Sequence, residues 1–141
     1  MTLSSLASAP VLNENPLPLD RKLRVLFYEI GTVGVNNLLG YEAFQLFTEL
    51  QIAEPEAAYP FVGLGMVGLA AGDAEVCEKN LNHPVVAASA LAPFAQGLLA
   101  VSHKLQGNSS AFEAASRAAI DSSDGELDAT LEELSKAQIS L

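Results

Sequence analysis

The sequence predicts an all-helical protein built as a stack of antiparallel helix pairs. Half of the 141 residues are hydrophobic, but only 6% are aromatic and none is Trp. Most of the hydrophobic residues are therefore not aromatic, and small ones such as Ala are common among them. Such a composition suits helices packed closely on helices better than a sandwich of aromatic and β-branched strands. No stretch alternates between apolar and polar residues as a half-buried strand does. A motif that recurs along the chain adds the prediction that the helices form repeated units.

The chain divides into an N-terminal arm and one helical domain. Residues 1–18 contain Ser, Asn and three Pro without a helical period, so we expect a mobile arm there and the domain over residues 19–141. Asp20 is the expected N-cap of a first helix that begins at Arg21.

Glycine, proline and turn residues divide the domain into pieces of about 10 to 18 residues, the length of ordinary helices. The expected breaks are Gly40, Pro55, Gly72, residues 82–84, Gly107 and residues 124–125. Residues 110–113 (Ser-Ala-Phe-Glu) and 123–126 (Ser-Asp-Gly-Glu) have capping-box spacing. About seven antiparallel helices follow from these signals.

Internal repetition is the decisive observation. Residues 27–35 (FYEIGTVGV) and 61–69 (FVGLGMVGL) share the pattern Phe-x-x-[Ile/Leu]-Gly-x-Val-Gly-[Val/Leu]. The separation between Phe27 and Phe61, called the repeat offset below, equals the period of tetratricopeptide repeats. In such repeats each helix pair needs a stacked neighbour to bury its apolar face. Glycines at equivalent places let the second helix of each pair approach closely. Close packing would explain why glycines occur inside these helices, although each one weakens a helix by about 1 kcal/mol.

The second helices repeat with the same spacing. Ala43 and Phe47 give a small position followed by a bulky one, and Cys77 and Leu81 follow them at the repeat offset. Pro55 ends the first unit. We therefore expect Phe47 and Leu81 to fill the space between the helices of their pairs.

A third unit is degenerate. Residues 98–100, Gly107 and a stripe of alanines predict a helix, a turn and a second helix. The alanine stripe consists of Ala111, Ala114, Ala115 and Ala118. Leu127, Leu131 and Leu134 lie on one face of a final amphipathic helix that caps the stack. The predicted fold is a tetratricopeptide-like right-handed stack of about three repeats with a C-terminal capping helix.

Residues 41–47 and 58–65 resemble a tetratricopeptide junction, and they are similar in particular to the tetratricopeptide-type chaperones of bacterial type III secretion. The resemblance covers residues 20–120. It implies an acidic cytoplasmic bacterial protein, associated with virulence, that holds an exported needle, filament or translocator subunit before secretion. Gly34 and Gly68 depart from the pattern, because a large aromatic residue is usual at those positions.

The resemblance also implies which residues line a concave groove for the partner. In each unit the first helix supplies a stripe at spacing i, i+4, i+7, which one helix face presents. The implied stripe, called the inner stripe below, is Tyr28, Thr32, Val35, Val62, Met66 and Leu69. Such a stripe fits a partner's apolar helix or extended segment. The same stripe is also compatible with ordinary core packing or with a homodimer contact.

Charge restricts the class of partner. The formal net charge is −10, so a phosphate backbone or an anionic membrane surface would repel the chain. No apolar run reaches the length of a membrane span, and the start lacks the basic and apolar regions of a secretory signal. We expect a cytoplasmic protein that binds another protein, with a general scaffold joining folded partners as the alternative function.

No pattern of residues indicates an enzyme, a metal or a cofactor. His83 and His103 are isolated, and Cys77 is expected to be a small core residue. Residues 63–68 match Gly-x-Gly-x-x-Gly but lack the strand before it that a dinucleotide site requires. Six acidic residues and no basic one occupy residues 121–133, which fits a solvated face or a patch that steers a basic partner.

Overall fold

The computed structural model describes residues 20–122, and this part of the chain contains seven helices and no strand. The helices are α1 (Arg21–Asn36), α2 (Gly40–Ala53), α3 (Ala58–Ala71), α4 (Ala74–Leu81), α5 (Pro84–Ala87), α6 (Ala92–Leu105) and α7 (Ser109–Ser122). The all-helical class is confirmed. The predicted arm, the capping box at residues 123–126 and the C-terminal capping helix lie outside the described residues. No described helix has the length and apolar character to cross a membrane.

Several predicted helix ends are present. The Asp20 carboxylate accepts a hydrogen bond from the Leu23 amide at 2.9 Å, so Asp20 is the N-cap of α1. Gly72 and Gly107 follow α3 and α6 with φ values of 71° and 74°. This left-handed conformation is the usual helix stop and favours glycine.

Two sequence interpretations of the last unit need correction. The Asn108 side chain caps α7 by accepting from the Ala111 amide at 3.1 Å, whereas Ser110 lies inside the helix. The Ser-x-x-Glu spacing misplaces the cap, because asparagine caps a helix as well as serine does. The piece before Gly107 is two helices, α5 and α6, because Pro93 has to stand in the first turn of a helix.

Close contacts at glycine residues set the distance between helices, and we call these contacts glycine notches. The Phe47 ring is fully buried, and a Cβ at Gly31 of α1 or at Gly63 of α3 would overlap it. A Cβ at Gly65 would overlap the buried Leu81 side chain in the same way. The contact of Gly31 with Phe47 therefore recurs, at the repeat offset, as the contact of Gly65 with Leu81.

A second pair of glycine notches, at Gly34 and Gly68, is also related by the repeat offset. A Cβ at Gly34 would lie 3.4 Å from the Ala43 Cβ, and one at Gly68 would lie 2.6 Å from the Cys77 backbone nitrogen. These two contacts are again related by the repeat offset. The repeated sequence motif thus corresponds to repeated packing between a first and a second helix.

The helices form a layered stack around α3. Each of α1–α2, α3–α4 and α6–α7 is a packed pair, and α3 also contacts α1, α2, α5 and α6. Because α3 carries no charged residue and eight of its residues are buried, it is the central element. One apolar core lies between α1, α2, α3 and α4. A second lies between α3, α4, α5 and α6 and extends to α7.

Only part of the alanine stripe of α7 is buried. Ala115 and Ala119 are buried, whereas Ala114 and Ala118 are exposed. The partly buried Phe112 packs on the same core as Ala115. Since every small residue fits a helix contact equally well, the alanines alone do not fix which face of α7 meets α6.

Candidate protein-docking surface

The inner stripe is largely used for packing. Val62 is fully buried and Val35 is 8% exposed, so neither offers surface to a partner in this conformation. Met66 packs against both cores and Leu69 against the second core. Each of these two side chains is only partly exposed.

The remaining members of the inner stripe contact neighbouring groups. Tyr28 meets the rings of Phe47 and Tyr59 edge-on, with centroid distances of 6.1 and 6.0 Å. The Thr32 hydroxyl donates to the Tyr28 carbonyl oxygen at 2.9 Å. Tyr28, Thr32, Met66 and Leu69 are half-buried, so a partner at this surface would meet only the edges of these side chains.

A second apolar stripe lies on the outside of α1. Leu23, Leu26, Ile30 and Val33 are 39%, 48%, 50% and 58% exposed. We call these four residues the outer stripe. Their spacing of three, four and three residues is the heptad spacing of residues that pack against another helix. These four side chains form a row of exposed apolar surface along α1.

The outer stripe is distinct from the face of α1 that packs inside the stack. The buried residues of α1 are Gly31, Gly34 and Val35, none of which belongs to the outer stripe. A helix with apolar residues on both sides is normally enclosed by neighbours. The heptad spacing is visible in the sequence, but the same residues also fit an inward-facing helix, so only the tertiary contacts separate the two faces.

Basic residues surround the start of α1. Arg21, Lys22 and Arg24 are three of the seven basic residues of the chain. The Arg24 Nε lies 3.1 Å from the Glu54 carboxylate, and among residues 20–122 neither Arg21 nor Lys22 has an ion pair. The positive end of the helix dipole adds to this charge. Arg21 and Lys22 therefore place positive charge at one end of the outer stripe, next to the Asp20 carboxylate that caps the helix.

A polar network ties α1 to the beginning of α3. The Glu54 carboxylate that pairs with Arg24 also accepts from the Tyr59 hydroxyl at 3.0 Å. Burial, followed by the hydrogen bond to Glu54 and the charge of that carboxylate, raises the pKa of Tyr59 to about 12. These contacts connect α1 to the segment between α2 and α3.

A cleft of about 320 Å³ lies between α2 and α4 above α3. Its lining residues are Phe44, Thr48, Gln51, Phe61, Leu64, Glu75, Val76, Lys79, Asn80 and His83. The His83 ring stacks on Phe61 at 4.0 Å, and its Nδ1 accepts from the Val85 amide at 3.2 Å. His83 thus caps α5 and covers the core, which accounts for it without a ligand.

The buried Cys77 sits beside polar groups of α6. Its thiol is fully buried, and burial raises its pKa, with a contact to Ser102 acting in the opposite direction. His103 Nδ1 lies 3.7 Å from the Glu78 carboxylate, and Gln106 donates to the same carboxylate at 3.1 Å. Across residues 20–122, no three side chains of the His, Cys, Asp or Glu type are grouped so that they could hold a metal ion.

No protein-family model matches the sequence, and neither a curated protein nor a solved structure matches it. These comparisons identify neither a tetratricopeptide protein nor a secretion chaperone. The functional argument therefore depends on the surfaces of the molecule itself.

Proposed function

We propose that this protein binds another protein by docking an apolar helix of that partner along the outer stripe of α1. The observation that carries the proposal is the exposure of four large apolar side chains at heptad spacing on a single helix. A partner helix with apolar residues at i, i+3 and i+7 would complete this packing.

Tetratricopeptide-like stacking is part of the same proposal. The helices pair in sequence, α3 contacts the other first helices α1 and α6, and the glycine notches recur at the repeat offset. A right-handed stack of about three repeats accounts for these contacts. Within residues 20–122, α1 packs on α2 and α3, and these contacts leave the outer stripe exposed.

The exposed apolar area of the outer stripe is small, so we propose that a partner contacts this protein at two places. The outer stripe leaves roughly 300 Å² of apolar area, which is worth at most about 7 kcal/mol before the cost of association. That amount supports reversible binding, whereas firm holding of a client needs further contact area. The half-buried edges of Tyr28, Thr32, Met66 and Leu69 are the candidates for the additional contact.

The biological role that we propose is a cytoplasmic chaperone of type III secretion that masks an exported needle, filament or translocator subunit. An exported subunit that assembles through an apolar helix would need a cover on that helix before export. The alternative role is a scaffold that joins two folded proteins. The two roles differ in the state of the partner, because a chaperone client aggregates when it is released, whereas a scaffold partner stays folded.

The test is partner capture in the native host. We expect the double variant Leu26→Gln/Ile30→Gln to lose its co-purifying partner while it keeps the helical circular dichroism and melting temperature of the wild type. Val101→Gln is the matched control, because Val101 is 47% exposed on α6 and Leu26 is 48% exposed on α1. Equal capture by the wild type and the stripe variant would refute docking on α1.

A further inference from the structure

The outer stripe and the charge beside it together specify the chemistry of an occupant. The stripe needs a helix with apolar residues at heptad spacing, and the start of α1 needs acidic groups opposite Arg21 and Lys22. A neutral or basic helix would not gain electrostatic attraction to these two cations. The best-matched occupant is therefore an acidic amphipathic helix.

A segment of this protein has the charge and the leucine spacing that this occupant requires. Residues 123–141, called the acidic tail below, hold five acidic residues and one basic residue. Leu127, Leu131 and Leu134 have the four-and-three spacing that places them on one face of a helix. The N-terminal residues 1–19 carry one charged residue, Glu14, and hence no comparable complement to the cations.

We propose that the outer stripe of α1 binds the acidic tail of a second copy of this chain. This inference rests on the proposed function, since it concerns the same docking surface. It adds that self-association covers the stripe until a partner displaces the tail. Leu127, Leu131 and Leu134 would pack on the stripe, while acidic residues of the tail would face Arg21 and Lys22.

The arrangement of the stack favours a second copy over the same chain. Among residues 20–122, α7 packs mainly on α6, whereas α1 packs mainly on α2 and α3, so α1 and α7 lie at opposite ends of the series of packed helices. The five residues from Ser122, the end of α7, to Leu127 reach only about 17 Å when fully extended. A tail that starts at the end of α7 therefore has little free length with which to reach α1 of its own chain, whereas the tail of a second copy has no such restriction.

The first experiment measures recognition of the tail directly. A fluorescent peptide of residues 123–141 is titrated with the full chain carrying Leu127→Gln/Leu131→Gln, whose own tail no longer competes. We expect the fluorescence anisotropy to show saturable binding of the peptide to this chain. Adding Leu26→Gln/Ile30→Gln or Arg21→Gln/Lys22→Gln to the chain should weaken the affinity at least about tenfold. Val101→Gln and Lys104→Gln are the matched controls and should leave the affinity unchanged.

The second experiment tests whether the tail that binds the outer stripe belongs to a second copy or to the same chain. Sedimentation of the wild-type full chain should show association that rises with concentration, and Leu127→Gln/Leu131→Gln should abolish it. A monomer at all concentrations would overturn the proposal, and peptide binding with a monomeric chain would place the tail on its own molecule. Persistent association of the tail variant would instead point to pairing of two outer stripes or to residues 1–19, and would equally overturn it.

Partner capture separates this inference from the proposed function. If the stripe binds a partner helix but not the tail, Leu127→Gln/Leu131→Gln will capture the same amount of partner as the wild type. If both bind there, the tail variant will capture more, because the stripe is free. Loss of capture only in Leu26→Gln/Ile30→Gln supports the docking surface whatever the outcome for the tail.

Discussion

Gly68 is the position at which a single methyl group should disturb the packing most. Its Cβ would stand 2.6 Å from the Cys77 nitrogen and 3.0 Å from the Asp73 carbonyl oxygen. These are backbone atoms at the start of α4, so no side-chain rotation relieves the overlap, and α4 has to move away from α3. Gly97 in α6 is the matched control, because nothing lies within 4 Å of the position of its Cβ.

We expect opposite signs for the two alanine variants. Gly68→Ala should lower the free energy of unfolding by about 1–3 kcal/mol, the usual cost of overpacking a close contact. Gly97→Ala should raise it by about 0.5–1 kcal/mol, since alanine loses less backbone entropy in a helix interior. For a chain of this size the corresponding changes in melting temperature are a decrease of about 4–12 °C and an increase of about 2–4 °C.

Urea denaturation followed by circular dichroism measures both values under the same conditions. Equal m-values for the wild type and the variants would show that the change is in stability and not in the extent of unfolding. If Gly68→Ala were as stable as the wild type, the close approach of α3 and α4 would be refuted. The assignment of the glycine notches as the packing element that recurs at the repeat offset would then fail with it.

Three further predictions concern single side chains. Because the pKa of Tyr59 is raised to about 12, the folded state retains a proton that the unfolded state loses near pH 10. Stability should therefore fall as the pH rises from 10 to 12, and Tyr59→Phe should remove that part of the decline in pH-dependent unfolding. Cys77 is fully buried, so a thiol reagent should modify it only at the rate of unfolding, and fast modification of the native protein would contradict this burial. Asn108→Ala should destabilise the chain by about 1 kcal/mol through loss of the α7 cap, while Ser110→Ala should change the stability little. If thermal unfolding showed Ser110→Ala to be the more destabilising variant, Ser110 and not Asn108 would be the cap.

The sequence by itself determined the helical class, the position of most breaks and the equivalence of the repeated motifs. These features follow from local rules. Asp20 caps a helix by bonding its own first turn, and Gly72 ends one because its conformation suits no other residue as well. The repeat offset is readable from the sequence because the repeated packing requires the same residue types in the same order.

Only the tertiary structure decided which apolar face of a helix is inside. The residues of α1 fit two stripes equally well, and contacts with α2 and α3 cover the side that contains Val35 while leaving Ile30 half exposed. Val62 likewise fits a groove position by repeat register, yet it is enclosed by the second core. Hydrophobic periodicity fixes the angle between residues around a helix, but burial depends on where the neighbouring helices lie, and that arrangement is set by side-chain contacts between residues distant in the sequence.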